Sequence, residues 1–226
     1  GINAFYHVGV DGLSLPMVIL TTFIGLLAVL ASWKITLRTR EYFIWLLLLE
    51  TSILGVFCSL DMILFFLFWE LELVPMYFLI SIWGSGRKEY SAIKYVIYTL
   101  IGSAFMLAGI LLLYYSTHSF NMLDQMKGMA LVQSFIPPAT LFFFLFIGFA
   151  VKLPMFPLHT WLPDAHTDAP TAVSIVLAGV LLKMGGYGMI RLCVTILPPV
   201  AQQYAPVLLV LAVVGILYGA AVTMRQ

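Results

Sequence analysis

The chain has 226 residues, of which 62% are hydrophobic and only 9% charged, with a formal net charge of +1. Mean hydropathy is +1.06, whereas an ordinary soluble domain carries about 25% charged residues. That composition excludes a dissolved globular domain, and the near-zero net charge gives no basis for nucleic-acid or acidic-substrate binding.

Seven apolar stretches follow one another, at 12–33, 42–59, 62–83, 92–115, 140–164, 170–197 and 205–224. Each approaches or exceeds the roughly 20 residues a membrane helix needs. Outer-membrane strands would alternate in character over about ten residues; these runs are uniformly apolar, so helices are expected. The one long polar connection is 116–138, with Asp124, Lys127 and the pair Pro137-Pro138. The fold class is therefore all-α, a polytopic transmembrane helix bundle in a single domain over residues 1–226. Opening on Gly1 and ending just past an apolar run, the chain is expected to be a piece of a longer membrane protein.

Lys34, Arg38 and Arg40 follow the first stretch, Arg87 and Lys88 the third, and Arg225 the last. With alternating spans these fall on one side, which the distribution of basic residues assigns to the cytoplasm or its organelle equivalent. Cys58 and Cys193 lie in separate apolar runs, so neither a metal site nor a disulfide framework is expected.

The fifth stretch is irregular. In Val151-Lys152-Leu153-Pro154-Met155-Phe156-Pro157-Leu158-His159, each proline lacks an N–H and crowds the carbonyl four residues back, at Ala150 and Leu153. Freed carbonyls in hydrocarbon must face protein or water, so a broken helix is expected, of the kind that builds ion sites in transporters. A plain packing kink is the alternative; the lysine beside the break favours a functional site.

Three ionisable residues lie deepest. Counting about 1.5 Å per residue, Glu70 lies about 12 Å along the third stretch, Lys152 about 18 Å along the fifth and Lys183 about 20 Å along the sixth. A charge at such depth costs on the order of 2.5–3.5 kcal/mol. Structural pairing is one reading, although buried ion pairs are weak stabilisers; snorkelling of the lysines is another. Apolar surroundings disfavour the charged form of amine and carboxyl alike, so the set suits proton transfer, with Glu70 beside Lys152 as a switch and Lys183 as the next acceptor. Glu72, about 200° around the helix from Glu70, is not expected to share that site, and Pro75 should kink the helix and free the carbonyl of Leu71. Glu50 could join a polar axis or pair locally. His159 and His166, about 10 Å apart on a continuous helix, cannot chelate one metal; both are candidate proton relays or structural hydrogen-bonding groups. Lys94 is placed to snorkel. Gly102, Gly109, Gly179, Gly185, Gly186 and Gly188 suit close helix contacts.

Three segments resemble a known family: Gly9-Val10-Asp11-Gly12-Leu13-Ser14-Leu15-Pro16, Phe68-Trp69-Glu70-Leu71-Glu72-Leu73-Val74-Pro75-Met76-Tyr77, and 150–166 with Ala169-Pro170-Thr171 and Leu181-Leu182-Lys183 after it. They are similar to the antiporter-like membrane subunits of complex I, in particular the chain 4 or M-type family of NADH-quinone oxidoreductase. The resemblance spans essentially the whole chain. It implies a fold of about fourteen helices with two inverted five-helix repeats, each holding a broken helix, of which this chain would cover the first repeat. It also implies that the family's glutamate and two lysines fall on Glu70, Lys152 and Lys183. The implied function is proton translocation driven by quinone reduction elsewhere in an NADH-, NADPH- or ferredoxin-dependent complex. No cofactor is then expected on this chain; NADH, FMN, iron–sulfur clusters and quinone would belong to partner subunits. Partners would be the other membrane subunits, the lipid bilayer and protons, in a bacterial cell membrane or a thylakoid or organelle membrane. A multisubunit cation/proton antiporter or membrane-bound hydrogenase is the runner-up, and an inert membrane scaffold the reading from a different class.

Overall fold

Asp11 starts the first helix. Its carboxylate accepts the backbone N–H groups of Leu13 and Ser14 at 3.1 and 2.9 Å, while the Ser14 hydroxyl accepts the Asp11 N–H at 2.8 Å, which satisfies donors that a helix end leaves free. From there the computed structural model, which describes residues 4–126 and 136–224, runs through nine helices among those residues. They are α1 (Ser14–Ala31), α2 (Thr39–Cys58), α3 (Met62–Leu71), α4 (Leu73–Trp83), α5 (Lys88–Thr117), α6 (Pro138–Lys152), α7 (Trp161–Asp168), α8 (Thr171–Val194) and α9 (Pro198–Thr223), with a further short turn at Met122–Asp124.

Among the described residues six spans are long and apolar enough to cross a membrane, α3 and α4 counting together as Met62–Trp83. The predicted fifth span is split: α6 stops at Lys152 and α7 begins at Trp161. Two carbonyls at the break, those of Ala150 and Val151, find new donors. Pro154 cannot donate to Ala150, but the Met155 N–H takes that carbonyl at 2.9 Å. The Trp161 indole donates to the Val151 carbonyl at 2.9 Å, which pins α7 to the end of α6.

The helices alternate in direction. The Trp83 indole donates to the Leu37 carbonyl at 2.7 Å and the Ser85 N–H to the Asp168 carbonyl at 2.8 Å, so the connections after α1, α4 and α7 share one face, the basic one. On the opposite face the Gly9 N–H bonds to the Cys58 carbonyl at 2.8 Å and Met62 to Phe120 at 2.9 Å, with isolated bridges at Val8–Ser59 and Asp61–Asn121. Lys127 and Arg225 lie outside the described residues.

Helix α5 packs along α6 and α4, and α2 lies between α1 and the α3–α4 pair. Glycines set the closest crossings. A Cβ at Gly102 would stand 3.0 Å from Cβ of Val151, one at Gly109 2.9 Å from Leu145, and one at Gly185 2.7 Å from the Leu153 nitrogen. Gly188 receives the ring of Phe149, whereas Gly186 has only ordinary contact with Leu153 at 3.7 Å. Helix α9 touches α6, the end of α8 and, through Tyr218, the segment between α6 and α7, and most of its apolar stretch is exposed.

On the non-basic face Arg191 of α8 pairs with Asp11. Partial burial pushes the Asp11 carboxyl up, but the Ser14 amide and the Arg191 guanidinium pull it further down, to about 2 from 3.8. A depressed carboxyl contributes stability above its unfolded value and loses it as pH falls through the folded one. Asp11→Asn should therefore lower the melting temperature of the detergent-solubilised protein at pH 7, and the gap from the parent should close as the pH approaches 2; a gap of constant size would contradict the pairing.

Candidate proton-transfer site

Lys152 is the last residue of α6, where the helix stops and its side chain turns inward to 1% exposure. Its ammonium contacts the carboxylate of Glu72, which is fully buried at the junction of α3 and α4. The Tyr95 hydroxyl of α5 completes the group. It accepts a hydrogen bond from Lys152 at 2.9 Å and donates towards both Glu72 oxygens at 2.9 Å. The rings of Trp69 and Tyr95 wall in the ammonium at 5.7 and 5.1 Å. Tyr95 meets Trp161 at 5.3 Å and Trp69 meets Phe149 at 5.6 Å, so aromatic rings close the site.

The expected contact between Glu70 and Lys152 is thus made by Glu72. Phe65, Trp69, Glu72, Met76 and Leu79 are all buried, and their four-and-three spacing marks the helix face turned into the bundle. Glu70 falls on the flank of that face. It lies in a groove with Leu73, Val74, Tyr77, Val96 and Leu100, near Ser103 and close enough for its charge to act on both Lys152 and Glu72. One of its oxygens, Oε1, is buried with no hydrogen-bond partner.

Lys183 is not brought to this group. It sits on an exposed face of α8 and donates to the Ala178 carbonyl of its own helix. That carbonyl belongs to a π-helical turn, Leu177–Leu181, where the wider winding shifts the backbone pairing. Gly185, two residues on, faces Leu153, so Lys183 points away from Lys152. His159 lies in the segment between α6 and α7, stacked on Phe156 at 5.6 Å and edge-on to Tyr218 of α9 at 5.1 Å. Its Nδ1 is buried and unpaired. His166 is exposed on α7, its carbonyl accepting from the Ser174 hydroxyl at 3.0 Å.

Two further residues depart from expectation. Lys94 does not snorkel; it pairs with Asp164 of α7 at 2.6 Å. Together with the Ser91–Asp168 hydrogen bond at 2.6 Å and the Tyr98–Thr160 hydrogen bond at 2.7 Å, this fastens α7 along the polar face of α5. Glu50 stands apart, its carboxylate seated where a Cβ at Gly25 of α1 would be, beside a water-sized cavity lined also by Thr21, Val176 and Val180. Tyr95 is the participant that depth counting missed. A tyrosine hydroxyl inside an apolar span needs a partner, and that was its available signal.

The arrangement can hold and pass a proton. A donor–acceptor chain runs from Lys152 through the Tyr95 hydroxyl to Glu72, sealed by aromatic rings at a helix break. Among the described residues no group of three or more His, Cys, Asp or Glu side chains is placed to hold a metal ion.

Residues 59–226 match the family model described as "NADH:quinone oxidoreductase/Mrp antiporter, TM". Over its full length the chain is 47% identical to NAD(P)H-quinone oxidoreductase chain 4 1 of Picosynechococcus sp., covering 42% of that protein. It is 40% identical to NADH-quinone oxidoreductase subunit M of Rickettsia prowazekii over 98% of the chain and 45% of the relative. It therefore spans less than half the length of these relatives. Among solved structures it superposes on a chain of respiratory complex I from Thermus thermophilus with a TM-score of 0.84 at 28% identity, covering all of this chain and 47% of that one. It also superposes on a chain of the membrane-bound sulfane sulfur reductase, an archaeal respiratory membrane complex, with a TM-score of 0.72 at 25% identity, over 83% of this chain.

Proposed function

Because the chain belongs to the NADH:quinone oxidoreductase/Mrp antiporter membrane family, we propose that it is part of a proton-translocating membrane subunit of an NADH- or NAD(P)H-quinone oxidoreductase. The observation that carries this reading is the buried Lys152–Glu72 pair with Tyr95 between them, at the break between α6 and α7. The pair ties two protonation states together. A proton arriving on Glu72 leaves Lys152 as an unmatched cation in an apolar enclosure. Its cation–π contacts with Trp69 and Tyr95 are worth only about 0.5–2 kcal/mol each, well short of the several kcal/mol of desolvation a buried ion loses. The proton on Lys152 is then expelled, and the neutral pair resets when Glu72 passes its proton to the Lys152 amine, restoring the ion pair.

In this reading no redox group belongs to the chain. Quinone reduction takes place on partner subunits, the other membrane subunits flank this one, and its work is done across the bilayer. The relatives named as quinone oxidoreductase subunits, at 40–47% identity, favour this branch of the family over the Mrp antiporters.

The test uses the complete subunit assembled in its complex and reconstituted in vesicles. Lys152→Ala should sharply reduce the proton gradient formed during quinone reduction while assembly survives, and Glu70→Ala should reduce it as well. Normal gradients in both variants would overturn the reading.

A further inference from the structure

Lys152 bonds to one carboxylate, Glu72, and feels the charge of a second, Glu70. Glu72 has two hydrogen-bond donors, the Lys152 ammonium and the Tyr95 hydroxyl, whereas Glu70 keeps a buried oxygen with no partner. An unsatisfied buried acceptor costs the full desolvation of that group, so Glu70 is a standing competitor for the lysine. The two carboxylates are two residues apart, Glu70 in the last turn of α3 and Glu72 at its junction with α4.

The difference between them is the tyrosine. Its single hydroxyl hydrogen is given to Glu72 while its oxygen accepts from Lys152, so it bridges both members of the ion pair and makes no such bridge to Glu70. We propose that Tyr95 is a positioning residue that assigns Lys152 to Glu72, with Glu70 held in reserve as the lysine's second partner. The assignment stands on the contacts alone; a role for Glu70 as a second proton station rests on the proton-translocation reading above. In that role the lysine would swing between the two carboxylates, carrying charge across the junction of α3 and α4 at one depth in the membrane.

The groove holding Glu70 opens beside Val74 and Leu100, both exposed, the side from which a hydrophobic carbodiimide would reach it. Dicyclohexylcarbodiimide adds to a protonated carboxyl, the acid proton going to nitrogen and the carboxyl oxygen to the central carbon. A carboxylate paired with lysine is protected. The complete subunit in its complex, in native membranes, is labelled and the adducts mapped by mass spectrometry, with Glu50 as the reference carboxyl because it lies apart on α2. In the parent, Glu70 should be labelled roughly tenfold more than Glu72, about the worth of one hydrogen bond to a charged group. In Tyr95→Phe that ratio should collapse towards one while Glu50 labelling stays constant. In Glu72→Gln, which leaves Tyr95 intact, Glu70 labelling should fall because Lys152 turns to it. Equal labelling of Glu70 and Glu72 in the parent, an unchanged ratio in Tyr95→Phe, or undiminished Glu70 labelling in Glu72→Gln would each overturn the assignment. The predicted labelling pattern together with undisturbed proton pumping in all variants would uphold the assignment and reject only the proton reading.

Discussion

Replacing Glu72 with leucine while Lys152 remains is expected to cost about 3–5 kcal/mol of stability, the penalty for a buried charge stripped of its partner. The ammonium is 1% exposed; its remaining acceptors are the neutral Tyr95 oxygen and Glu70, and turning to Glu70 would bring the cost to the lower end of that range. Removing both members, as Glu72→Leu/Lys152→Met, should regain most of that loss, because apolar groups of similar volume often replace a buried pair at little cost. The thermal midpoint of the solubilised protein should therefore fall in the single variant and recover in the double. A double variant less stable than the single would show that the pair is a structural clamp, as the scaffold reading requires.

The second large effect is steric. A Cβ at Gly185 would lie 2.7 Å from the Leu153 nitrogen and 3.0 Å from the Phe149 carbonyl oxygen. These are backbone atoms, so no side-chain rotation relieves the clash. Gly185→Leu must push α8 off α6 at the turn that carries Lys152, and overpacking of a close crossing costs typically about 1–3 kcal/mol or more. The variant should assemble poorly and lose the Lys152–Glu72 contact. Gly186→Ala, whose nearest neighbour is Leu153 at 3.7 Å, should behave like the parent. Equal tolerance of both substitutions would contradict the packing described for α6 and α8.

Much of this architecture is legible in the residues. Length and hydropathy mark the spans, and Pro154 and Pro157 mark the break after Lys152 because proline chemistry is local. Depth likewise singles out Lys152 as a buried charge, which the structure shows enclosed and paired, because position along a helix follows from counting. Rotation does not. Between Met62 and Trp83 nearly every residue is apolar, so no polar face reveals which carboxylate looks inward, and Glu70 and Glu72 could be separated only by the packing of Phe65, Trp69, Met76 and Leu79. Lys183 is the converse case. A π-helical turn and Gly185 against Leu153 set its direction, and neither is visible in hydropathy. The partners of Lys94 and Asp164, 70 residues apart, depend on how α7 folds back, which a broken helix leaves open.

The double variant also isolates function from structure. The complete subunit carrying Glu72→Leu/Lys152→Met, assembled in its complex and reconstituted in vesicles, should reduce quinone yet form a proton gradient at least about tenfold smaller, as expected when a positioned proton-transfer group is lost. A gradient of normal size from the folded, assembled double variant would show that protons do not pass through Lys152 and Glu72.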